Sequence, residues 1–292
     1  MNTLRTAVEQ FICEASAGTT CVWRALGHGV GGSTWRVSCG DSAWFVKTAP
    51  DARDVFDAEA GGLKALAGCN AVRIPQVLGA GEQNGEAFLI MEWLSLTRET
   101  GTAAARLGEQ LARQHQSLGK HFGWRRNNFI GATPQFNASN RDWVKFFREH
   151  RLDFQLRLAA ENGYRGALQE QGARLLEVLP AFFQGYSPQP SLLHGDLWGG
   201  NWGALETGEP VIFDPAVYYG DREADIAMTE LFGGFGQEFY LAYNAVWPLD
   251  RGYKLRRDLY NLYHLLNHLN LFGGGYLCQT EQLLTQLLAQ VR

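Results

Sequence analysis

The sequence predicts an α+β protein of two lobes, a small antiparallel β-sheet N-lobe followed by a larger, mainly helical C-lobe. Two observations predict this class. Segments rich in β-branched and aromatic residues alternate with glycine-rich turns early in the chain, and apolar residues recur at helical spacing through most of the rest. At 292 residues the chain has room for about two units. We place the boundary after residue 93, which gives an N-lobe of 1–93 and a C-lobe of 94–292.

The elements of the N-lobe follow from their local patterns. An amphipathic helix is predicted first, because apolar residues recur at helical spacing: Leu4, Val8, Phe11, Ile12 and Ala15. Two strands, at 20–26 and 34–38, flank a glycine cluster and predict a hairpin with a glycine-rich tip. A third strand is predicted at 43–47 and a helix at 51–67. The unbroken apolar run at 87–91 predicts a buried strand.

The C-lobe is predicted to be mostly helical. Helical periodicity is clearest at 107–118, 143–150, 260–271 and 282–291. A strand-and-loop region at 191–215 interrupts these helices. We find no internal repeat and no low-complexity segment, so the chain is not a solenoid or an array.

The composition is that of a globular protein. Hydrophobic residues make up 46% of the chain and charged residues 19%, which excludes disordered, collagen-like and coiled-coil chains. The net charge of −4 provides no broad positive field, so we expect neither a nucleic acid nor an anionic membrane as a partner. The longest apolar run, at 87–91, is far shorter than the roughly 20 residues that cross a bilayer.

The cysteines are odd in number and contain no C-x-x-C pair; they are Cys13, Cys21, Cys39, Cys69 and Cys278. This usage, together with the absence of a signal-peptide pattern, predicts reduced thiols in a cytoplasmic protein. A disulfide between Cys21 and Cys39 would clamp the glycine-rich hairpin, but a cytoplasmic location makes it the minority prediction.

The glycine cluster contains a G-x-G-x-x-G pattern at Gly27, Gly29 and Gly32. A dinucleotide site would need a helix directly after these glycines, whereas the following residues alternate like a strand. The loop is therefore predicted to lie between two strands and to cover phosphates from above. An ordinary hairpin tip is the alternative.

A lysine and a glutamate follow at the positions that a nucleotide site needs. Lys47 ends an apolar strand, where a kinase carries the lysine that holds the phosphates of the nucleotide. Glu59 falls on the apolar face of the next predicted helix, where an unpaired carboxylate would be costly, so we expect Lys47 to pair with it. The alternative is a glutamate that reaches solvent. Beyond the buried strand, backbone groups at 92–94 are placed to pair with the edge of an adenine.

The segment 192–201 carries the strongest signal. It places Asp196 and Asn201 five residues apart, the interval of the catalytic-loop pattern H-R-D-x-x-x-x-N, in which the aspartate receives a hydroxyl proton and the asparagine binds magnesium. A short apolar strand downstream ends in Asp214, a further oxygen ligand for the metal. Each feature alone is also typical of a turn or a strand end. Their order along the chain indicates an ATP-dependent kinase.

The acceptor is predicted to be a small molecule. Asp214 is followed by Pro215-Ala216 instead of Phe-Gly, and no Ala-Pro-Glu occurs downstream, so the segment on which protein kinases seat a peptide has no counterpart. Gly195 replaces the arginine of the protein-kinase loop, which removes the usual partner of a phosphorylated activation loop. A Walker A pattern is also absent.

These features, together with others along nearly the whole chain, resemble the fructosamine kinase (ketosamine 3-kinase) family, whose bilobal protein-kinase-like fold is similar to that of aminoglycoside phosphotransferases. Among the segments that carry the likeness are Asn128-Phe129-Ile130-Gly131, His194 to Asn201, Phe213-Asp214-Pro215-Ala216 and Leu231-Phe232-Gly233-Gly234-Phe235. The resemblance implies phosphorylation of the 3-hydroxyl of ribulosamines, erythrulosamines or fructosamines, on free amines or protein lysines. Such 3-phosphates fall apart and free the amine, so the implied activity is deglycation.

The resemblance also implies a role for each matching residue, with ATP and Mg²⁺ as cofactors. Asp196 would be the catalytic base, and Asn201 and Asp214 the magnesium ligands. His194 and Asp225 would support the catalytic loop. The implied nucleotide-binding positions are Gly27, Gly29, Gly32, Lys47, Glu59, Met91, Glu92, Trp93 and Leu94. Trp198 would stack on the sugar, with core filling as its alternative.

Several questions stay open at this point. Gly199 stands where the family usually has serine, which removes one hydroxyl from the loop. The natural sugar–amine and the oligomeric state are not determined. A kinase of another small alcohol, such as an aminoglycoside or a choline-like amine, is the second hypothesis. A nucleotide-binding pseudokinase is the third, and it is disfavoured because every residue that the chemistry needs is present.

Overall fold

A five-stranded antiparallel sheet with two helices forms the N-lobe. The computed structural model describes residues 2–15, 21–29, 32–97 and 101–291, and the strands of this sheet lie in the order β1-β2-β3-β5-β4. The elements are α1 (Asn2–Ala15), β1 (Cys21–Gly29), β2 (Gly32–Cys39), β3 (Ser42–Pro50), α2 (Arg53–Ala67), β4 (Val77–Gln83) and β5 (Glu86–Glu92). The predicted helices, hairpin and strands of this lobe are confirmed. Strand β4 was not predicted, because its two glycines and lack of β-branched runs give a weak strand signal.

Strand β5 is buried on both faces, which explains its unbroken apolar run. Phe88 and Ile90 pack in one cluster with α1, whereas Leu89 and Met91 pack in another cluster with α2. Side chains alternate across a strand, so one short segment contributes to two cores. The two helices therefore cover opposite faces of the sheet and hold β3, which carries Lys47, in a fixed position beside β5.

The C-lobe is built mainly of helices around the long buried helix α9. Its helices are α3 (Ala103–His115), α4 (Trp143–Phe147), α5 (Asp153–Glu161), α6 (Ala167–Val178), α7 (Glu223–Leu231), α8 (Gln237–Val246), α9 (Tyr253–Phe272) and α10 (Leu277–Gln290). Its strands are β6 (Leu96–Thr97), β7 (Asn128–Ile130), β8 (Thr133–Gln135), β9 (Ser191–Leu193), β10 (Trp202–Leu205), β11 (Pro210–Ile212) and β12 (Tyr218–Gly220). A π-helical turn, Arg148–Leu152, joins α4 to α5. The α+β class with a helical second lobe is confirmed.

Short strands at the junction of the lobes position the functional loops. β9 pairs with β12, and β11 pairs with β10, which in turn pairs with β6 directly after the first lobe. The loop at 194–201 leaves the end of β9, and Asp214 follows the end of β11. The two predicted catalytic segments are thus brought together by strand pairing. The lobe boundary after residue 93 stays a prediction.

The expectation of reduced cysteines is wrong for Cys21 and Cys39, which form a disulfide. These residues face each other in the β1–β2 ladder, with a Cα–Cα distance of 4.4 Å. Directly opposed strand residues have the Cβ separation that a disulfide needs. The two cysteines are 18 residues apart in the sequence, so only the strand register shows that they face each other. Among the cysteines whose side chains are described, Cys69 and Cys278 are free.

No helix within the described ranges is both long enough and apolar enough to cross a membrane. This agrees with the short apolar runs of the sequence. The cytoplasmic location stays a prediction.

Candidate active site

A cavity of about 280 Å³ lies between the N-lobe sheet and the loop that follows β9. It collects residues from six separate segments of the chain, and most of the predicted catalytic and phosphate-binding residues line it. These are Gly29, Gly32, Lys47, Glu59, Asp196, Asn201 and Asp214. Their convergence from both lobes marks this cavity as the candidate active site.

Lys47 lies between two carboxylates at the roof of the cavity. Its Nζ is 2.8 Å from Glu59 Oε1 and 2.7 Å from Asp214 Oδ1. The predicted pairing of Lys47 with Glu59 is therefore confirmed. Burial alone would lower the pKa of Lys47, but the two carboxylates outweigh it and raise the pKa above its ordinary value. Lys47 is a fixed positive charge that links the N-lobe to the end of β11.

Asp196 and Asn201 are hydrogen-bonded to each other. Asn201 Nδ2 donates to the backbone oxygen of Asp196 at 2.8 Å and to its Oδ2 at 3.2 Å. Burial, together with the nearby Asp214 carboxylate, raises the pKa of Asp196 to about 7. A carboxyl group that titrates near neutral pH can accept a proton from an alcohol more readily than an ordinary aspartate.

Asp225 is buried and holds the start of the catalytic loop by hydrogen bonds. Its Oδ2 accepts from the backbone N–H of His194 at 2.7 Å, and its Oδ1 accepts from that of Gly195 at 2.8 Å. His115 Nε2 donates to the same Oδ2 at 3.1 Å. Burial alone would raise the pKa of Asp225, but these hydrogen bonds and the nearby histidines lower it. The position predicted for a supporting aspartate is thus a buried anion that holds two successive backbone amides.

His194 bridges the two segments that carry the acidic residues. Its Nε2 donates to the Phe213 carbonyl at 2.9 Å, and its Nδ1 accepts from the Asp196 amide at 3.3 Å. Burial lowers the pKa of His194, which favours the neutral ring that this pattern requires. The histidine therefore sets the spacing between Asp196 and the end of β11.

Backbone geometry explains why residue 195 is glycine. Gly195 has a φ of +84°, and a Cβ there would lie 2.1 Å from the carbonyl oxygen of Ala216. Any side chain, including the arginine of protein kinases, would force the loop away from the segment after Asp214. Asp214 itself has a φ of 58°, a conformation that aspartate tolerates better than most residues.

A second cavity, of about 310 Å³, adjoins the first at the end of β5. Met91, Glu92, Trp93 and Leu94 line it, as do apolar residues of both lobes. The backbone N–H groups of Glu92 and Trp93 donate to carbonyls within the protein, whereas that of Leu94 has no acceptor in the described part of the chain. A mainly apolar cavity with a free N–H at its edge has the polarity that an adenine ring needs.

Two predicted positions stand apart from the cavities. Gly27 lines neither, and its carbonyl accepts from Thr34 Oγ1 at 3.2 Å. Trp198 is 40% exposed and also lines neither cavity. Its ring lies over Gly200, where an added Cβ would come within 2.3 Å of it. Its role as a substrate contact stays a prediction.

Sequence reasoning missed two groups of residues at this site. His115 appears in the sequence only as part of a helical periodicity, although a histidine on an apolar face is a signal of a buried polar contact. Asn128, Phe129 and Gly131 line the cavity from the β7–β8 hairpin. They occur in a segment that carries the family likeness, but no local pattern assigns them to the site.

A model of the fructosamine kinase family matches residues 10–290. The chain belongs to the fructosamine kinase family. This membership makes it a kinase, an enzyme that transfers a phosphoryl group to an acceptor.

Curated relatives extend over most of the chain. A probable ketoamine kinase of Synechocystis sp. is 46% identical over 251 residues, which are 85% of this chain and 84% of that protein. The chloroplastic protein-ribulosamine 3-kinase of Oryza sativa subsp. japonica is 44% identical over 239 residues, 80% of this chain and 69% of the relative.

Solved structures give the same fold. A crystal structure described as that of a fructosamine-3-kinase from Haemophilus somnus 129PT has a TM-score of 0.89 at 30% identity and covers 96% of each chain. An aminoglycoside phosphotransferase in complex with AMP-PNP and hygromycin B has a TM-score of 0.64 at 16% identity, covering 97% of this chain and 98% of that one. The likeness to the aminoglycoside phosphotransferase shows the fold alone, and this is the predicted protein-kinase-like fold.

Proposed function

We propose that this protein transfers the γ-phosphoryl group of ATP to the 3-hydroxyl of a ketosamine, a sugar joined to an amine through glycation. The observation that carries the proposal is the convergence of Lys47, Asp196, Asn201 and Asp214 on one cavity beside a second, mainly apolar cavity. The names of the relatives, a ketoamine kinase and a protein-ribulosamine 3-kinase, support the acceptor class. We propose deglycation of free amines or protein lysines as the outcome.

The residues of the site act by position and charge. Met91 to Leu94 hold the adenine, and Lys47, fixed by Glu59, binds the phosphates under the glycine loop. Asp196 would accept the proton of the acceptor hydroxyl as the hydroxyl oxygen attacks the γ-phosphorus and the bond from that phosphorus to ADP breaks. The loop held by Asp225 would keep the Asp196 carboxylate in position. Such positioning accounts for most of the rate in phosphoryl transfer.

Asn201 and Asp214 fit a magnesium ion bound with ATP. Asn201 uses its amide nitrogen on Asp196, and no hydrogen bond of the described residues occupies its Oδ1. The side chain of Asp214 is 44% exposed toward the cavity region. Magnesium binds few protein oxygens and takes its other ligands from phosphates and water, so this small donor set suits it. When bound, the ion would neutralise charge on the phosphates.

The first experiment measures ADP release with ATP and magnesium against ribulose-lysine, fructose-lysine, an aminoglycoside and choline. We expect turnover of the ketosamines, and the two measured rates rank the two sugars. Turnover of an aminoglycoside or choline alone would leave the kinase standing and replace the acceptor. ATP binding without transfer to any acceptor would favour a pseudokinase.

The Asp196→Asn variant tests the assigned base. We expect kcat to fall by roughly 10²- to 10⁴-fold, because the variant cannot accept the hydroxyl proton, while ATP still binds. Asp41→Asn, a change at an exposed turn outside both cavities, is the matched control and should leave kcat unaltered. Unchanged turnover in Asp196→Asn would remove the aspartate from the mechanism.

A further inference from the structure

The β7–β8 hairpin forms a wall of the catalytic cavity that no nucleotide role explains. Phe45 and Asp214 line both cavities, so a nucleotide whose adenine lies in the second cavity enters the catalytic cavity beside them. Asn128, Phe129 and Gly131 line only the catalytic cavity. We propose that this hairpin is the acceptor-binding wall and that Phe129 packs against the sugar–amine, an assignment that rests on the proposed function.

Hydrogen bonds fix the hairpin to the segment after Asp214. Asn128 Nδ2 donates to the Val217 carbonyl at 2.8 Å, and Gln135 Nε2 donates to the Ala216 carbonyl at 3.0 Å. The amide of Ala216 donates in turn to the His194 carbonyl at 2.8 Å, directly before the catalytic loop. The hairpin is therefore tied to the two segments that carry Asp196 and Asp214.

A buried chain of side-chain amides continues behind the hairpin. Asn128 Oδ1 accepts from both Gln135 Nε2, at 2.8 Å, and Asn137 Nδ2, at 2.7 Å. Asn137 Oδ1 accepts from Arg151 at 2.8 Å, and Gln135 Oε1 accepts from the Tyr263 hydroxyl at 2.8 Å. These bonds favour one geometry of the network, because the loss of any of them would leave a buried polar group unpaired.

Arg151 anchors this chain at its far end. It is fully buried, lies on the π-helical turn, and has its guanidinium carbon 4.0 Å from the ring centroid of Tyr218 and 4.8 Å from that of Phe146. It also donates to the Phe136 carbonyl at 2.7 Å. Aromatic faces and backbone oxygens thus surround the cation. These contacts hold the hairpin in a fixed position, as a cavity wall that binds a ligand requires.

Phe129 has the chemistry to select the acceptor. It is half-buried on the cavity wall, whereas its neighbours Asn128 and Ile130 are buried. An aromatic ring packs favourably on the C–H face of a sugar and on a cationic amine, and a ketosamine offers both. Trp198, the aromatic residue predicted from the sequence, lies over Gly200 outside this cavity.

Steady-state kinetics of Phe129→Ala test the assignment, with ribulose-lysine and ATP varied in turn. We expect the KM for ribulose-lysine to rise about tenfold, with kcat and the KM for ATP near wild type. Phe129→Tyr, which keeps the ring, should restore the KM. Phe136→Ala is the matched control, because this exposed phenylalanine follows the same hairpin but lines neither cavity. Thermal unfolding of each variant confirms that it is folded.

The inference would be overturned by an unchanged acceptor KM in folded Phe129→Ala, or by a rise confined to the KM for ATP. A rise in the acceptor KM of Phe136→Ala equal to that of Phe129→Ala would also overturn it, because the effect would then be general. If wild type ignores ketosamines but phosphorylates another acceptor of the panel, the same comparison is made with that acceptor. The proposed function and the role of the hairpin can therefore fail separately.

Discussion

At the scale of single residues, Asp225 shows how a buried charge shapes the site without touching a substrate. It is 1% exposed and accepts from two backbone amides of the catalytic loop and from His115. Any other conformation of the loop would break these bonds and leave the carboxylate unpaired in the interior. The position of Asp196 is therefore set by a buried residue that does not line the cavity.

Asp225→Asn is expected to lower the free energy of unfolding by about 3 kcal/mol, because an amide cannot accept on both sides and its N–H would face other donors. Chemical denaturation of both proteins measures the difference. Asp153→Asn is the control, since Asp153 makes an exposed ion pair with Arg157 and should cost under about 0.5 kcal/mol. Equal losses in the two variants would show that the hydrogen bonds of Asp225 contribute no more to stability than an exposed ion pair does.

At the scale of elements, the β1–β2 hairpin combines a cross-linked base with a glycine-rich tip. Cys21 and Cys39 pair at one end of the ladder, and Gly29 and Gly32 pair at the other. At Gly32 an added Cβ would lie 2.2 Å from the Thr48 carbonyl, so the absence of a side chain lets the tip approach β3 closely. Val30 and Gly31 of the tip lie outside the described residues.

Loss of the disulfide is expected to destabilise the protein. The bridge closes a loop with a sequence separation of 18, for which chain entropy predicts about 3 kcal/mol. Urea unfolding of a Cys21→Ser/Cys39→Ser variant should show this loss, and wild type in reductant should match it. The free thiols supply the control, since Cys69→Ser and Cys278→Ser should respond to reductant as wild type does. Reductant without any effect on wild type would contradict the prediction.

At the scale of the whole molecule, buried histidines make folding sensitive to acid. His264 on α9 is 4% exposed, and its Nδ1 has no hydrogen-bond partner among the residues that the structure describes. Burial, together with the charges of His268 and Arg151, lowers the pKa of His264 to about 3, against the opposite effect of Asp225. In the unfolded chain the pKa returns to about 6.5. The neutral ring therefore favours the folded state fully above pH 6.5, and this contribution is lost as the pH falls toward 3.

Between pH 6.5 and pH 5, His264 alone is expected to cost ~2 kcal/mol of stability. Urea unfolding at the two pH values measures the loss in wild type. His264→Gln should show a smaller loss, because glutamine does not titrate, whereas the exposed His28→Gln should keep the wild-type loss. The same loss in His264→Gln as in wild type would assign the acid sensitivity to other groups.

Much of the fold and of the site could be predicted because the signals are local. Spacing within one loop places Asn201 against Asp196, and helical periodicity turns Glu59 inward toward the strand that carries Lys47. The strand signal failed in β4, where glycines dilute it, and in β6, β7, β8 and β12, which at two or three residues are too short to show a pattern. What could not be predicted depends on partners far apart in the chain: His115 and Asp225 are separated by 110 residues, and Gln135 and Tyr263 by 128.

The sequence by itself determined the two-lobed class, the order of the catalytic segments and the pairing of Lys47 with Glu59, because each follows from residue types within a few turns or strands. Only the tertiary structure decided that Cys21 opposes Cys39, that Trp198 lies over Gly200, and that Phe129 lines the cavity. Strand register and the packing of distant segments set these contacts, and neither leaves a pattern in neighbouring residues.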